Sequence, residues 1–389
     1  MIKLKVAIIT PGVCPLPAVK GGAVETLVDK LIQFNESSYC CELIVYSVYD
    51  KIACLREQST KNTTICYIKR NKIIDWLFIH KIIPVRWMMK CFINQVCKRI
   101  KKYEYDVIII ENELFMGKRI KKIAPPKINL FLHLHNDYIT PKSKNMLKNY
   151  DKIITISDFL KSKIKEVNAT IKVSTIHNGI DLNKFNKQNI EIKQQKKYKT
   201  EFGISEKEIV IVFAARIVPE KGINELLTAF LTIADKYKIK LLIVGDSFFE
   251  GSKSTIFIKH LKNRVKDNKK VVFTGYIPYD KMPLIYSLAD IGCIPSFCEE
   301  GFCLTVVEQM AMGLPLIVSD SGAITEIVTS KCAITVKRND QFEIELKKAL
   351  EKLIDDRYLR EKMGSQAVLR AKKFSDRYYS EKFFREILE

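Results

Sequence analysis

The sequence predicts an α/β fold with two domains, each built on a doubly wound parallel sheet. Short apolar runs alternate with longer amphipathic runs, which is the pattern of parallel strands connected by helices. A hydrophilic stretch at residues 181–203 interrupts the alternation, which then restarts. A length of 389 residues also suits two domains better than one core.

Five short apolar runs in the first half predict buried strands, and two amphipathic runs predict helices. Ser157 opens the second helix, where its hydroxyl can accept a hydrogen bond from a free backbone N–H. The predicted strands are Val6–Ile9, Glu42–Val48, Val107–Ile110, Asn129–His133 and Lys152–Ile156, and the predicted helices are Gly21–Phe34 and Ser157–Val167.

The second half repeats the same pattern of strands and helices. The predicted strands are Ile209–Ala214, Leu241–Val244, Val271–Thr274, Asp290–Pro295 and Leu316–Ser319, and the predicted helices are Ile223–Tyr237, Thr255–Val265, Met282–Ser287 and Thr305–Met312.

These elements divide the chain into segments. We predict a first domain at 1–185, a linker at 186–204, a second domain at 205–370, and a C-terminal helix at 371–389 that packs back on the first domain. Two such domains would leave a cleft between them. Because doubly wound sheets bind ligands at the carboxyl ends of their strands, functional residues are expected there.

The charge of the chain is high and unevenly distributed. The net charge is +21, and residues 1–187 hold 32 basic and 16 acidic residues. This excess predicts an anionic partner for the first half, which leaves nucleic acid, a membrane surface or a phosphorylated substrate. No apolar run approaches the ~20 residues that a membrane-spanning helix needs.

Three common phosphate or metal motifs are absent from the sequence. The chain has no G-x-G dinucleotide fingerprint, no Walker A sequence and no D-x-D pair. A phosphate would then be bound by basic side chains and helix N-termini. We therefore expect no cofactor and no metal.

Two carboxylates follow the predicted strand that ends at Pro295. Glu300 lies in a loop beside Gly301, where no local structural duty explains it. Glu308 is placed in the first turn of the next helix, and Thr305-Val-Val-Glu308 also fits a capping box that would explain it without any function.

The segment from Glu300 to Pro315 resembles the E-x7-E signature of the family-4 retaining glycosyltransferases. That resemblance implies the GT-B fold, in which two Rossmann-like domains face a cleft. It covers nearly the whole chain, although Ser321 and Cys303 stand where the family commonly has glycine. The other matching segments are Gly21-Gly22, His177–Asp181, Ala215–Gly222 and Val271–Gly275.

The resemblance also implies roles for individual residues. Arg216 and Lys221 would hold the diphosphate and stabilise the charge on the leaving nucleotide in place of a metal. Glu300 would bind a donor-sugar hydroxyl and act in catalysis with both cations. The implied donor-binding residues are Gly21, Gly22, Gly275, Ile277, Gly301, Phe302, Cys303, Leu304, Thr305 and Glu308, with Glu308 on the ribose.

Two histidines lie at the carboxyl end of the predicted strand Asn129–His133. His133 is its last residue, and His135 follows two residues later. Alternation puts His133 and His135 on the same side of the strand. A lone strand-end histidine is often structural, but the family places a histidine followed by a small polar residue in the cleft. We therefore choose His135, with Asn136 after it, as the catalytic histidine that binds a sugar hydroxyl or orients the transition state.

The segment Lys69–Lys102 combines positive charge with aromatic residues. It holds ten basic residues, one acid and both tryptophans, Trp76 and Trp87. This composition fits an anionic lipid surface, single-stranded nucleic acid, or two ordinary helices whose aromatics face the core. Because the first domain binds the acceptor in the family, often as a lipid-linked sugar, we favour the membrane surface and expect no nucleic acid.

The resulting hypothesis is a retaining, metal-independent glycosyltransferase. It would use a nucleotide-sugar donor, most simply UDP-linked, and a glycan or lipid-linked acceptor in the synthesis of a bacterial capsule or lipopolysaccharide. It would work in the cytoplasm, on the inner face of the plasma membrane. A GT-B sugar-nucleotide epimerase and a basic nucleic-acid-binding protein remain as alternatives.

Overall fold

The computed structural model describes residues 3–20, 22–56, 60–70, 80, 82, 84–246 and 256–388. The chain forms two compact units. The first consists of Met1–Gly179 together with Asp376–Glu389, and the second consists of Ile180–Ser375.

The first unit contains a parallel sheet of seven described strands in the order β3-β2-β1-β4-β5-β6-β7. Its central strands β1 and β4 are apolar on both faces, as expected for a parallel sheet covered on both sides. The strands are β1 Lys5–Ile9, β2 Glu42–Val48, β3 Thr63–Ile68, β4 Val107–Glu111, β5 Asn129–Leu134, β6 Lys152–Thr155 and β7 Val173–Thr175.

Helices cover both faces of the first sheet. Ser157 caps its helix as predicted, because its Oγ accepts a hydrogen bond from the Leu160 N–H at 3.1 Å. The described helices are Ala23–Ser38, Lys51–Arg56, Val85–Ile100, Gly117–Ile123, Lys144–Leu147, Asp158–Val167 and Asp376–Leu388.

The last helix of the chain, Asp376–Leu388, belongs to the first unit. Tyr379, Phe383 and Phe384 are fully buried there. The Phe384 ring stacks on Phe34 of the first helix, with the ring centroids 5.8 Å apart. The C-terminal residues therefore complete a core that begins with the first strand.

The second unit contains a parallel sheet of six described strands in the order β10-β9-β8-β11-β12-β13. The strands are β8 Ile209–Ala214, β9 Ile239–Val244, β10 Val271–Gly275, β11 Ile291–Ile294, β12 Leu316–Ser319 and β13 Ala333–Val336. The described helices are Ile192–Glu201, Ile223–Leu231, Ile256–Arg264, Met282–Tyr286, Leu304–Ala311, Ile324–Ile327, Phe342–Asp355 and Arg357–Ala371.

The predicted fold class, two doubly wound parallel sheets, is confirmed. The units divide between Gly179 and Ile180, a few residues before the predicted boundary at 185. The segment predicted as a linker, 186–204, contains the helix Ile192–Glu201 of the second unit. Strands β3, β7 and β13 escaped the sequence analysis because they carry polar residues and are incompletely buried.

The order of strands reverses in the same way in both sheets. Strands β2 and β3 extend the first sheet on one side of β1, and the next strand, β4, lies on the other side of β1. In the second sheet β9 and β10 likewise lie on one side of β8 and β11 on the other. The helices that follow the two central strands therefore lie on opposite faces of each sheet, which leaves a crevice at the carboxyl edge between them. The site residues are found at these two edges.

Candidate functional site

The loops after β8 and β11 approach each other closely in the second unit. The backbone N–H groups of Phe297 and Cys298 both donate to the Glu220 carbonyl oxygen, at 2.8 and 3.1 Å. Gly222 adopts a φ of 71°, and a Cβ at this position would overlap the carbonyl oxygen of Pro295. Only glycine fits this approach, which fixes the loop that carries Arg216 and Lys221.

Lys221 and Glu300 form an ion pair between these loops. The Lys221 Nζ lies 2.6 Å from the Glu300 Oε1, and the Ser296 hydroxyl donates to the same oxygen at 2.7 Å. Burial alone would lower the pKa of Lys221, but Glu300 outweighs that effect and raises it. The Lys221 ammonium therefore remains charged.

Ser321 holds the backbone of the Glu300 loop. Its hydroxyl accepts a hydrogen bond from the Glu300 N–H at 3.2 Å and donates to the Cys298 carbonyl oxygen. The Glu300 carbonyl oxygen in turn accepts from the Ala323 N–H at 2.8 Å. The serine that departs from the family pattern thus supports the loop.

Glu308 is buried rather than engaged in a helix cap. The helix begins at Leu304, so Thr305 lies inside it, and the capping-box interpretation is wrong. Glu308 lies in the second turn rather than the first and is only 3% exposed. Its Oε2 accepts a hydrogen bond from the Tyr286 hydroxyl at 2.9 Å.

The environment of Glu308 favours its protonated form. Burial raises the pKa of Glu308 to about 7, although hydrogen bonds from Tyr286 and Tyr279 oppose the shift. At neutral pH this carboxyl group is therefore poised between its two states.

A cavity of about 460 Å³ in the second unit brings four predicted residues together. Its lining includes Arg216, Ile277, Thr305 and Glu308. Gly275 directly precedes this lining with a φ of 71°, and its carbonyl oxygen accepts the Gly245 N–H at 3.0 Å. An exposed cation, a buried carboxyl group and apolar walls thus share one cavity.

The side chains of the residues between Glu300 and Thr305 lie in or against the core of the second unit. Phe302 and Leu304 pack against the apolar core, and the Phe302 ring lies 5.9 Å from that of Phe374. Cys303 is buried, and burial raises the pKa of its thiol to about 12. Together with Gly301, these positions lie at the start of the helix Leu304–Ala311, where backbone N–H groups can bind a ligand.

In the first unit, His135 forms part of a buried cluster at the ends of β4 and β5. His135 Nε2 lies 2.7 Å from Glu111 Oε2, and His133 Nδ1 lies 3.0 Å from the same oxygen. The predicted placement of both histidines on one side is confirmed. Because a carboxylate can only accept, each imidazole presents an N–H to Glu111.

The backbone around His135 is fixed by Asn112. The Asn112 Oδ1 accepts a hydrogen bond from the His135 N–H at 3.0 Å, and the Asn112 N–H donates to the His133 carbonyl oxygen at 2.7 Å. Asn112 has a φ of 62°, a left-handed conformation that asparagine tolerates. The sequence analysis missed Glu111 and Asn112, although both follow the apolar run Val107–Ile110 directly.

Charge in this cluster resides on Glu111. Burial would raise the pKa of Glu111, but His133 and His135 outweigh it and lower the pKa to about 2. Burial lowers the pKa of His135 to about 4, against the opposing effect of Glu111. At neutral pH, His135 is therefore a neutral imidazole beside a carboxylate.

The predicted glycine loop of the first unit is described only in part. Gly21 lies outside the described residues. Gly22 has a φ of 111° and precedes the helix Ala23–Ser38. Residues with a side chain rarely adopt this φ, so the position favours glycine.

The described part of Lys69–Lys102 has a buried apolar face and an exposed face that carries charges and one tryptophan. Met88, Met89 and Phe92 of the helix Val85–Ile100 are buried, as expected for the alternative of an ordinary helix whose apolar residues face the core. Trp87 is 52% exposed, and Lys98, Lys101 and Lys102 are also exposed. Trp76 lies outside the described residues.

The comparisons with known proteins agree with this geometry. The family model described as "Glycosyl transferases group 1" matches residues 194–370, and the model "Glycosyltransferase Family 4" matches residues 63–184. The chain belongs to the glycosyltransferases that these two models describe. The two matches fall on different halves of this glycosyltransferase.

Individual relatives cover much of the glycosyltransferase. A lipopolysaccharide 1,2-N-acetylglucosaminetransferase of Salmonella typhimurium is 29% identical over 336 residues, which are 84% of this chain and 83% of the relative. The Staphylococcus aureus capsular polysaccharide biosynthesis glycosyltransferase CapM is 32% identical over 220 residues, or 54% of each chain.

A solved structure supports the fold. Anabaena Alr3699/HepE in complex with UDP-glucose is similar with a TM-score of 0.74 and 17% identity, and the match covers 99% of each chain. The GT-B fold that the resemblance implied is confirmed. Across the described residues, no helix has both the length and the apolar character for crossing a membrane.

We predict that Glu111→Gln destabilises the glycosyltransferase. The neutral amide would replace two charge-assisted hydrogen bonds with weaker ones and would bring an NH2 group into the buried cluster in place of a carboxylate oxygen. The expected loss is about 1–3 kcal/mol in the free energy of unfolding, measured by urea denaturation. The exposed Glu166→Gln is the matched control, and equal unfolding midpoints for both variants would contradict the cluster as described.

Proposed function

We propose that this glycosyltransferase moves a sugar from a UDP-linked donor to a glycan or lipid-linked acceptor, with retention of anomeric configuration, during synthesis of a bacterial surface polysaccharide. The main support is that two cations and two carboxyl groups lie at the carboxyl edge of the second sheet. Lys221 and Glu300 form an ion pair there, and Arg216 and Glu308 line one cavity. The Salmonella and Staphylococcus relatives support the setting, and UDP-glucose in the Anabaena structure supports the donor.

The nucleoside part of the donor fits the cavity of the second unit. Its apolar lining suits a base, and Glu308 offers carboxyl oxygens to the ribose hydroxyls. Gly275 and Ile277 would present backbone groups to the base. In this assignment the ribose hydroxyls hydrogen-bond Glu308, which is the most deeply buried carboxyl group of the site. They replace the water molecules that burial removes from this carboxyl group.

The diphosphate is assigned to Arg216, Lys221 and the N-terminus of the helix Leu304–Ala311. Two cations and free backbone N–H groups stabilise the charge that builds on UDP as it leaves. This set provides the stabilisation without a metal ion. Glu300 would bind a hydroxyl of the donor sugar beside Lys221.

His135 is proposed to act as a neutral hydrogen-bonding group. The low pKa of His135 keeps the imidazole uncharged, and Glu111 fixes the tautomer by holding Nε2–H. The remaining nitrogen, Nδ1, can then accept a hydrogen bond from a sugar hydroxyl. A histidine fixed in this way can position a sugar hydroxyl without adding a positive charge to the site.

We further propose that the glycosyltransferase acts in the cytoplasm at an anionic membrane surface. The exposed Trp87 and the exposed Lys98, Lys101 and Lys102 support this placement. Cations attract the acidic headgroups, and an exposed tryptophan inserts at the interface. This surface would bring the enzyme to a lipid-linked acceptor.

The first prediction concerns pH and donor binding. UDP affinity should rise about tenfold between pH 6 and pH 8, because the carboxylate form of Glu308 accepts both ribose hydroxyls and its pKa is about 7. Binding below pH 7 should also release protons, as measured by calorimetry in buffers of different ionisation enthalpy.

Glu308→Gln tests the assignment of this pH dependence, since the phosphate of UDP titrates identically with both proteins. The variant should lose the tenfold component, whereas the exposed Glu206→Gln should keep it. An unchanged pH profile in Glu308→Gln would reject Glu308 as the ribose ligand.

The second prediction concerns the leaving group. Lys221→Ala should lower the rate of UDP release from UDP-sugars by roughly a hundredfold, as expected for the loss of one electrostatic stabiliser. The exposed Lys238→Ala of the same unit should react like the wild type. Release should also continue in EDTA, and a complete loss that manganese restores would refute metal independence.

The third prediction concerns the membrane surface. Replacing Lys98, Lys101 and Lys102 by glutamine should release the protein from vesicles that contain phosphatidylglycerol, since each cation contributes about 1 kcal/mol at low salt. Arg99 is left in place because its Nη1 donates to the Tyr67 carbonyl oxygen at 2.9 Å. The matched control replaces the exposed Lys259, Lys266 and Lys269 of the second unit, and equal vesicle binding by both triple variants would place the membrane surface elsewhere.

A further inference from the structure

Arg338 lies shortly after strand β13 and reaches the loop that carries Glu300. Its Nη1 donates a hydrogen bond to the Phe297 carbonyl oxygen at 2.8 Å, and its Nη2 donates to the Glu299 Oε1, also at 2.8 Å. One guanidinium group therefore holds this loop both by its backbone and by a side chain, just before Glu300. None of the roles assigned above uses Arg338.

The same guanidinium is fixed to the turn after strand β12. The Arg338 Nε donates to the Asp320 Oδ1 at 3.1 Å, and Nη2 also donates to the Asp320 carbonyl oxygen at 3.1 Å. The Arg338 backbone N–H donates to the Asp320 Oδ1 at 3.0 Å, and the Asp320 N–H donates to the Val336 carbonyl oxygen at 3.1 Å. Because the guanidinium is planar and rigid, Asp320 also fixes the direction of the N–H groups that reach Phe297 and Glu299.

Glu299 extends this connection to the backbone of Glu300. While the Glu299 Oε1 accepts from Arg338, its Oε2 accepts from the Gly322 N–H at 2.7 Å. Gly322 has a φ of 44°, and a Cβ at this position would overlap the Glu300 carbonyl oxygen. The backbone of Glu300 is therefore packed against the same turn that Arg338 and Glu299 hold.

The position of the Glu300 carboxyl group depends on this backbone. Its Oε1 meets the Lys221 Nζ at 2.6 Å and the Ser296 hydroxyl at 2.7 Å. The hydrogen bonds described for Arg338 end instead on residues that are not assigned to the donor. Arg338 would therefore act on the reaction through Glu300. A displacement of about 1 Å at a reacting centre can lower the rate by roughly a hundredfold.

The charge of Arg338 offers a second interpretation. Arg338 forms ion pairs with the partly exposed Glu299 and Asp320, and without it these carboxylates would repel an anionic donor. However, two of its four side-chain hydrogen bonds end on uncharged carbonyl oxygens, which favours a role in positioning. A lysine would keep the charge but lose the planar fork of N–H groups, so it separates the two interpretations.

We propose that Arg338 is a positioning residue for glycosyl transfer, which holds the loop before Glu300 and thereby keeps the Glu300 carboxyl group beside Lys221. The proposal rests on the proposed function, since Glu300 acts in transfer only there. Loss of Arg338 should slow the reaction of a bound donor. It should leave UDP binding nearly unchanged, because Arg216 and Glu308 line a cavity that does not include this loop.

The test compares turnover with UDP affinity. Release of UDP is measured at saturating UDP-glucose, UDP-galactose and UDP-N-acetylglucosamine, and the Kd of UDP is measured by calorimetry. With the best of these donors, turnover should fall about tenfold or more in Arg338→Ala and about threefold or more in Arg338→Lys, while the Kd of UDP stays within about threefold. The matched control is Arg357→Ala, which should behave as the wild type, because Arg357 forms an exposed ion pair with Glu361 in the same unit.

Thermal unfolding is measured on each variant to show that it is folded. If Arg338→Ala does not fold, Arg338→Lys and Glu299→Gln provide the comparison, and Glu299→Gln should also lower turnover without weakening UDP binding. Wild-type turnover in Arg338→Lys would assign any effect of Arg338→Ala to charge and overturn the proposal. A loss of UDP affinity as large as the loss of turnover would overturn it as well. A wild type that releases no UDP from any of the three donors would instead refute the proposed donor function.

Discussion

The close approach of two loops in the second unit is the constraint on which the donor site depends. The sheet changes direction at β8, so the loops after β8 and β11 leave the sheet beside each other. Glu220 joins them by accepting two backbone N–H groups, and Gly222 leaves no space between itself and Pro295. The side chains of Lys221 and Glu300 are therefore close enough to form their ion pair, with Nζ and Oε1 2.6 Å apart. The cations and carboxyl groups are thus positioned by backbone contacts before any substrate binds.

Three carboxyl groups in the two units show how surroundings set charge. Glu111 is completely buried yet ionised, because two imidazole N–H groups satisfy it. Glu308 is almost as buried but receives hydroxyl donors, and burial keeps its pKa near 7. Glu113 has no partner within the described residues, and its pKa is also near 7. Glu111 therefore stays charged at neutral pH, whereas burial leaves the other two carboxyl groups poised between their two states.

Much of the fold was predictable because a parallel sheet alternates apolar strands with amphipathic helices. Candidate site residues could be named from the sequence where a short motif groups them, as with Glu300 and Glu308. Sequence spacing did not reveal where the helix begins, so Thr305 was taken for a possible cap although the helix starts at Leu304. It also did not reveal which face of Val85–Ile100 packs inward, so a surface segment and an ordinary helix with core-facing aromatics both stayed open. Glu111 and Asn112 escaped because their partners lie on a neighbouring strand, a relation that exists only after folding.

The position of the last helix has a consequence for how the two units fold. The second unit is continuous in sequence, from Ile180 to Ser375, so its core closes with residues of one unbroken segment. The first unit is discontinuous, because Tyr379, Phe383 and Phe384 fill its interior from beyond the second unit. Its core therefore depends on contacts between residues that are far apart in the chain, and such contacts cost more loop-closure entropy and form more slowly. The second unit is thus expected to complete its core before the first.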